Sequence, residues 1–491
     1  MARISKPQTP NPKTQRNPKH QAIRLVFWVL VIFWGLGFGV WDLASAAPPR
    51  DLLGRVPNVV FILSDDQRPD TIRALGNRHI QTPNLDGLVQ NGFTFTHAFC
   101  MGSTVGAVCI PSRAMILSGR SLYRAVSGTN SATIPRQAAL WPEEFRKAGY
   151  ETIGIGKWHN DRASYARCFT TGGPIFFGGM SDHDKVPVQS FDSTGRYETN
   201  RQRVANVFSS ELFANAAIQS IRQTTKPLLL YLAFTAPHDP RTPPAEFAKR
   251  YDPSKIPLPK NYRPEHPFDN GQSKGRDEEL LPWPRTEEAV RKELAAYYAM
   301  ITHMDHQIGR VLTALKDSGK AHNTIIVFAG DHGLAIGSHG LLGKQNMYDH
   351  SVRAPLIFSG PGILRGRSDA LCYLYDIFPT LCELTGLPTP ETVEGKSLVR
   401  VIHGRVESVR DEIFGAYRDV QRMARTDRWK LIHYPKVDRT QLFDLKTDPD
   451  EVRDLSDNPK HGATLAQLRS RLAFLQHQFD DPIESKVENG R

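Results

Sequence analysis

The chain reads as an α/β protein: a large, mixed, mostly parallel sheet flanked by helices, followed by a smaller C-terminal subdomain with a short antiparallel sheet. Three observations predict this. Apolar runs that each end in polar, chemically capable residues recur along the chain; a long helical stripe precedes the last of them; and short strand-like runs parted by turn residues fill the C-terminal part.

The first run, Asn58 to Leu63, leads into Ser64-Asp65-Asp66, and the second, Thr152 to Gly156, into Lys157-Trp158-His159. Leu228 to Phe234 leads into Thr235-Ala236-Pro237-His238, and Thr324 to Ala329 into Gly330-Asp331-His332-Gly333. Continuous apolar strands of this kind are buried on both faces, as in a parallel sheet covered by helices. The polar residues that follow them then gather beyond the carboxyl ends of the strands, where such sheets place their sites. Before the fourth strand, Leu294, Tyr297, Ile301, Met304, Ile308, Val311 and Leu315 repeat at helical spacing and make one apolar face. His303, Asp305 and His306 flank that face and read as structural or solvated groups, not as a metal site.

The stretch 241–285, rich in Pro and charge, reads as a long surface excursion of the kind that shapes substrate choice. The main domain spans 56–385, and a smaller subdomain spans 386–482. In the latter, runs at Phe414–Tyr417, Arg422–Arg425, Trp429–Tyr434 and Leu442–Leu445 suggest the antiparallel sheet, and Leu465 to Phe479 a closing helix.

The net charge of +11 invites nucleic acid, but the first 46 residues carry +5 of it, leaving a modest +6 that favours anionic substrates. No nucleic-acid motif accompanies it. Residues 1–46 read as an export signal: a basic lead, an uncharged apolar run from Leu25 to Trp41, then Ala44-Ser45-Ala46 as a cleavage site. Export would place the protein in the periplasm or outside the cell; an uncleaved membrane anchor is the alternative. Five cysteines are too few for a disulfide-built scaffold, and a Cys372–Cys382 bridge is left open.

The most informative run is Cys109-Ile110-Pro111-Ser112-Arg113-Ala114-Met115-Ile116-Leu117-Ser118-Gly119-Arg120. Pro111 suits the first helical position, so Cys109 would sit where a helix dipole collects an anion, with Arg113 one turn on. An isolated cysteine is more often a buried small residue or half of a disulfide. Asp65 and Asp66, adjacent at a strand end, repel unless a cation neutralises them, and Asp331 adds a third carboxylate; an oxygen-rich set favours Ca²⁺ or Mg²⁺.

Together these segments resemble the type I sulfatases of the alkaline phosphatase superfamily, over about Val56 to Leu455. The resemblance implies that Cys109 is oxidised to formylglycine by a formylglycine-generating enzyme or equivalent maturase. It implies metal ligation by Asp65, Asp66, the group at position 109, Asp331 and His332. It implies catalytic roles for Arg113, Lys157, His159, His238, Asp331 and Lys344: Arg113 polarises the hydrate, Asp331 takes the attacking proton, and Lys157 and Lys344 neutralise sulfate oxygens. His238 then protonates the departing alcohol and His159 drives collapse to the aldehyde. Arg353 to Gly362, Leu442-Phe443-Asp444-Leu445 and Asp448-Pro449-Asp450-Glu451 also match. His332 stands where many arylsulfatases have Asn, as in the iduronate-2-sulfatase and choline-sulfatase branch, and leaves its direct ligation open.

The expected substrate is a sulfate ester, foremost of a sulfated carbohydrate, with His183 and Arg241 as substrate contacts. A phosphomonoester or phosphonate hydrolase of the same superfamily is the alternative enzyme. A glycan-binding homologue that keeps a plain thiol at residue 109 is the alternative outside catalysis.

Overall fold

The computed structural model describes residues 56–127, 133–272 and 274–483; the export segment 1–46 lies outside them. The four expected strands are Asn58–Ser64, Glu151–Lys157, Leu228–Ala233 and Thr324–Gly330, and they are neighbours in the middle of a nine-stranded sheet. All four run parallel: Asn58–Ser64 pairs with Thr324–Gly330 on one side and Leu228–Ala233 on the other, and Glu151–Lys157 follows. Thr171–Phe176 extends this side in parallel, while Arg353–Ser359 pairs antiparallel with both Thr324–Gly330 and Phe93–Phe99.

The two-sided burial follows from the strand period. Val59, Phe61 and Leu63 face one apolar core, and Val60 and Ile62 the other, all fully buried. Burying each such side chain is worth about 1.5–3 kcal/mol, which explains why the runs contain no polar interruption.

The expected stripe forms the helix Glu287–Asp317, but it serves two cores. Met304, Ile308, Val311 and Leu315 pack on the sheet, whereas Leu294, Tyr297 and Ile301 join Phe247, Tyr251 and Ile256 of the excursion. His303 is wedged between the Phe208 and Phe247 rings, whose centroids lie 4.6 and 4.8 Å away. Asp305 accepts the Asn84 and Leu85 N–H groups at 3.2 and 2.8 Å, satisfying free donors at the start of the helix Pro83–Asn91. Both therefore have structural work.

The reactive run folds as the helix Cys109–Ser118, beginning two residues earlier than Pro111 suggested. Pro111 is tolerated there because N–H groups of the first turn have no partner inside the helix. Gly119, with φ of 65°, closes it.

Strands Glu412–Tyr417, Gln421–Thr426, Trp429–Tyr434 and Arg439–Asp444 make the antiparallel meander, and the helix Gly462–Gln478 follows. Gly102–Ser103, just upstream of Cys109, adds a parallel edge strand, which stitches the smaller sheet to the reactive segment. All five cysteines are buried and free, Cys372 and Cys382 included. Among the described residues no helix is long and apolar enough to cross a membrane.

Candidate active site

Because the four central strands are parallel, Asp65, Asp66, Lys157, His159, His238, Asp331 and His332 emerge at one end of the sheet, and the helix Cys109–Ser118 docks there. Ser112 Oγ donates to the Asp331 carbonyl, tying that helix to the end of strand Thr324–Gly330. Arg113 is fully buried and its guanidinium is spent on the framework: Nη2 lies 3.3 Å from Asp65, Nε 3.1 Å from Asp331, and Nη1 donates to the Lys157 carbonyl at 2.8 Å. It fixes two carboxylates and a strand end relative to each other, a role the sequence alone did not single out.

Cys109 Sγ lies 3.1 Å from His159 Nδ1. Burial pushes the thiol up, but the neighbouring His159 and Lys157 outweigh it and hold it well below the usual thiol range. Lys157 pairs with Asp65 and donates to the Gly179 carbonyl at 2.6 Å. Lys344 reaches both oxygens of Asp66 at 2.9 and 2.6 Å and His238 Nε2 at 2.9 Å.

Asp65, Asp66 and Asp331 are wholly buried, and an oxygen from each lies within 4.8 Å of the others; Cys109, Asp331 and His332 form a second such group. Their environments drive the acids apart. Burial works against ionisation of Asp65, but Lys157 and Arg113 override it and keep the carboxyl well below the ordinary range. Burial together with the Asp65 charge lifts Asp331 to about 6, against the pull of His332 and Arg113. His332 Nδ1 faces the Gly333 carbonyl at 3.0 Å, leaving Nε2 aimed at Asp66 Oδ1, 3.3 Å away. Despite burial, the Asp331 and Asp66 charges raise this imidazole to about 9.

The donor set fits a divalent cation. His332 Nε2 is buried with no hydrogen-bond partner, Asp65 Oδ1 has only the Arg113 Nη2 ion pair at 3.3 Å, and three carboxylates converge there, which calls for positive charge at that place.

The sulfatase family profile matches residues 57–387, more than half of the chain. The chain belongs to the sulfatase family. It is a type I sulfatase of the alkaline phosphatase superfamily, a sulfuric ester hydrolase. A second profile, the C-terminal part of N-sulphoglucosamine sulphohydrolase, matches residues 337–478. An arylsulfatase of Clostridium perfringens is 30% identical over 456 residues, covering 85% of this chain and 93% of the relative. A protein solved in complex with its substrate D-glucosamine-2-N,6-O-disulfate superposes with a TM-score of 0.74 at 23% identity, over 88% of this chain and 100% of that one. The phosphonate monoester hydrolase of Agrobacterium radiobacter has the same fold, with a TM-score of 0.68 at 21% identity, over 86% and 96%.

Within this sulfatase, the two residues expected at the mouth are turned inward. His183 is buried: Nδ1 meets Ser209 Oγ at 3.0 Å and Nε2 the His238 carbonyl at 2.9 Å, and burial pushes the ring down to about 4. It thus reaches the site through the backbone of His238. Arg241 pairs with Glu293 and lies 5.9 Å over the Tyr297 ring, with its side chain 3% exposed.

Tyr297 is the residue the sequence reading missed. Asp66 sits at φ of 65°, a left-handed conformation costly for a side chain with Cβ. The Tyr297 hydroxyl donates to the Asp66 carbonyl and accepts the Arg68 N–H at 2.8 Å, gripping both sides of that turn. Its helical spacing marked it as core, which it is; nothing in the spacing says where the hydroxyl goes. Asp277, 3.6 Å from Lys344, comes from the excursion and carries no motif.

Proposed function

We propose that this sulfatase releases inorganic sulfate from sulfated carbohydrates, using a formylglycine at position 109 and a bound divalent ion, Ca²⁺ or Mg²⁺. The observation that carries the reading is the meeting of Cys109 Sγ with His159 at 3.1 Å beside three buried carboxylates. In the unmodified chain that sulfur stands where the oxygens of the aldehyde hydrate would be. The hydrate supplies two geminal hydroxyls, one to attack sulfur and one whose collapse releases sulfate. Asp65, Asp66, Asp331 and His332 would hold the ion, which supplies charge neutralisation to the sulfate oxygens.

The chain's own groups account for the proton movements. Asp331, held by Arg113 Nε at 3.1 Å, stands to accept the proton of the attacking hydroxyl. Lys157 and Lys344 bring positive charge to the place where the ester's oxygens bind. His238, with Lys344 Nζ at 2.9 Å, stands to protonate the leaving alcohol, and His159 Nδ1 to take the proton of the remaining hydroxyl at residue 109. Arg113 orients Asp65 and Asp331 throughout.

Sugar esters are favoured by the match to the N-sulphoglucosamine sulphohydrolase C-terminal profile and by the fold shared with a glucosamine disulfate-binding protein. The reading requires a formylglycine-generating maturase, and the amino-terminal segment supports export to the periplasm or beyond.

Mass spectrometry of the tryptic peptide containing residue 109, together with sulfate release from a panel of sulfated glycans, tests it. Loss of the sulfur and turnover of sugar sulfates are expected; a retained thiol in an active preparation overturns the mechanism, and in an inactive one favours a glycan-binding homologue. The phosphonate hydrolase of like fold makes an aryl phosphate control necessary. Faster cleavage of aryl phosphate than aryl sulfate would replace the sulfate reading.

A further inference from the structure

The loop between the strands Thr171–Phe176 and Pro187–Val188 is fastened to the catalytic centre at two points, Gly179 and His183. The Gly179 carbonyl accepts Lys157 Nζ at 2.6 Å, and its Cα is pressed so close to His159 that a Cβ there would stand 2.7 Å from Nε2. His183 makes the second attachment, to the backbone of His238.

The proton on the His183 ring is assigned by its partners. A backbone carbonyl only accepts, so Nε2 carries the hydrogen and donates to the His238 carbonyl at 2.9 Å. In the neutral ring Nδ1 then has a lone pair, which accepts from Ser209 Oγ at 3.0 Å. Ser209 Oγ in turn accepts from Thr235 Oγ1 at 2.7 Å, and the His238 N–H closes the circuit on the Thr235 carbonyl at 3.1 Å. The His183 carbonyl accepts the Ser209 N–H at 2.6 Å, at the start of the helix Ser209–Gln223. Phe208 stacks on the His183 ring at 5.4 Å and 12° from parallel, which fixes its plane. Every member of the circuit is buried, His183 with 1% exposed, and a buried network with its donors and acceptors matched is rigid.

This circuit holds the backbone on which His238 stands. His238 Nδ1 bonds to the Asp239 carbonyl at 2.8 Å, one residue along its own chain, so the ring moves with that backbone. Nε2 is left to face Lys344 Nζ at 2.9 Å and Asp66 Oδ2 at 3.7 Å. A small shift of the turn therefore carries Nε2 away from the oxygen it must protonate. We propose that His183 is a positioning residue for the general acid: it holds the His238 backbone so that Nε2 meets the departing oxygen, and it acts through His238 and not by touching the sugar. This rests on the reading of His238 as the group that protonates the alcohol.

The test pairs p-nitrophenyl sulfate, whose phenolate leaves unaided, with p-methoxyphenyl sulfate, of like shape but with a leaving oxygen that needs its proton. His183→Leu fills the space but cannot donate to the His238 carbonyl. It is expected to lower kcat/KM about tenfold on the methoxy ester and less than about twofold on the nitro ester. His183→Gln, which brings an amide N–H to the place of Nε2, recovers most of that loss. A merely structural role lowers both esters equally, through the amount of folded enzyme, and that result overturns the proposal. If His183→Leu fails to fold, Ser209→Ala carries the test, since it frees Nδ1 and keeps the ring; the same bias is expected at about threefold, and no bias overturns the proposal. His238→Ala separates the two claims. A bias there without one in His183→Leu removes only the positioning role, whereas no bias in His238→Ala removes the acid reading and the positioning role with it. Crystal structures of the His183 variants read the same point without turnover: a His238 ring displaced in His183→Leu and back in place in His183→Gln supports the proposal, and a ring unmoved in His183→Leu refutes it.

Discussion

The catalytic centre and the seam beneath the C-terminal sheet both bury acids against cations, yet only the first sets them beside a reactive cysteine. In the seam, Asp349 is met by Lys430 at 2.8 Å, Arg353 at 3.2 Å and Arg425 at 3.4 Å, and Glu451 by Lys430 at 2.6 Å and the Asp349 N–H at 2.7 Å. Its neighbouring imidazoles are silent. Burial pushes His339 down to about 3, and its ring is stacked on Tyr348 at 3.8 Å with Nε2 on the Glu451 carbonyl. At the catalytic centre the acids touch His238 and His332, and Cys109 touches His159. Burying charge is therefore no sign of function in itself. A nitrogen left open among carboxylates, beside a reactive group, is.

Removing a group from each cluster exposes the contrast. Cys109→Ala lowers turnover of any sulfate ester by on the order of 10⁴-fold or more, with little change in melting temperature. Measured sulfate release and a thermal melt check both halves; substantial activity in this variant would end the proposed mechanism. Lys430→Met does the reverse. It removes the cation shared by Asp349 and Glu451, leaving Asp349 to Arg353 and Arg425, and costs about 3 kcal/mol in urea unfolding, while the folded enzyme keeps its kcat.

The two clusters also differ in how far the sequence disclosed them. The centre was legible because Asp65, Lys157, His238 and Asp331 each follow a continuous apolar run, and parallel strands bring their ends together whatever the chain between them does. The seam was not. Lys430 and Glu451 lie 81 and 102 positions from Asp349, inside a short strand and a turn that show no more than alternating polarity. The Asp448 to Glu451 segment was recognisable as a motif, but its task, capping Asp349 and neutralising Lys430, appears only when the small sheet docks. Pro111 misled for a related reason: proline fits several positions of a first turn, so the pattern located the helix but not its first residue.

Tyr297 stands between the two kinds of residue, a core position that acts on the centre. Tyr297→Phe keeps the ring and its packing but leaves the Asp66 carbonyl and the Arg68 N–H unpaired, at a cost of about 1–3 kcal/mol in stability. If the hydroxyl positions Asp66, affinity for Ca²⁺ falls about tenfold by titration calorimetry, and kcat falls with it while KM holds. An unchanged metal affinity beside a lowered melting temperature would make Tyr297 merely structural.

The smallest effect probes the seam's one titratable weakness. Burial, reinforced by the Asp349 charge, raises Glu451 from the ordinary 4.5 to about 7, against the pull of Lys430. Between those values the folded protein holds a proton that the unfolded chain has released. The stability linked to it is complete below about 4.5 and is lost as pH rises through about 7. Glu451→Gln keeps the shape and an oxygen to accept the Asp349 N–H but cannot ionise. The variant should therefore melt about 2–4 °C above the wild type at pH 8, with the gap closing toward pH 5. A gap that widens on acidification would mean that Lys430 holds Glu451 ionised, and that the seam stores its charge as a true ion pair like Asp349.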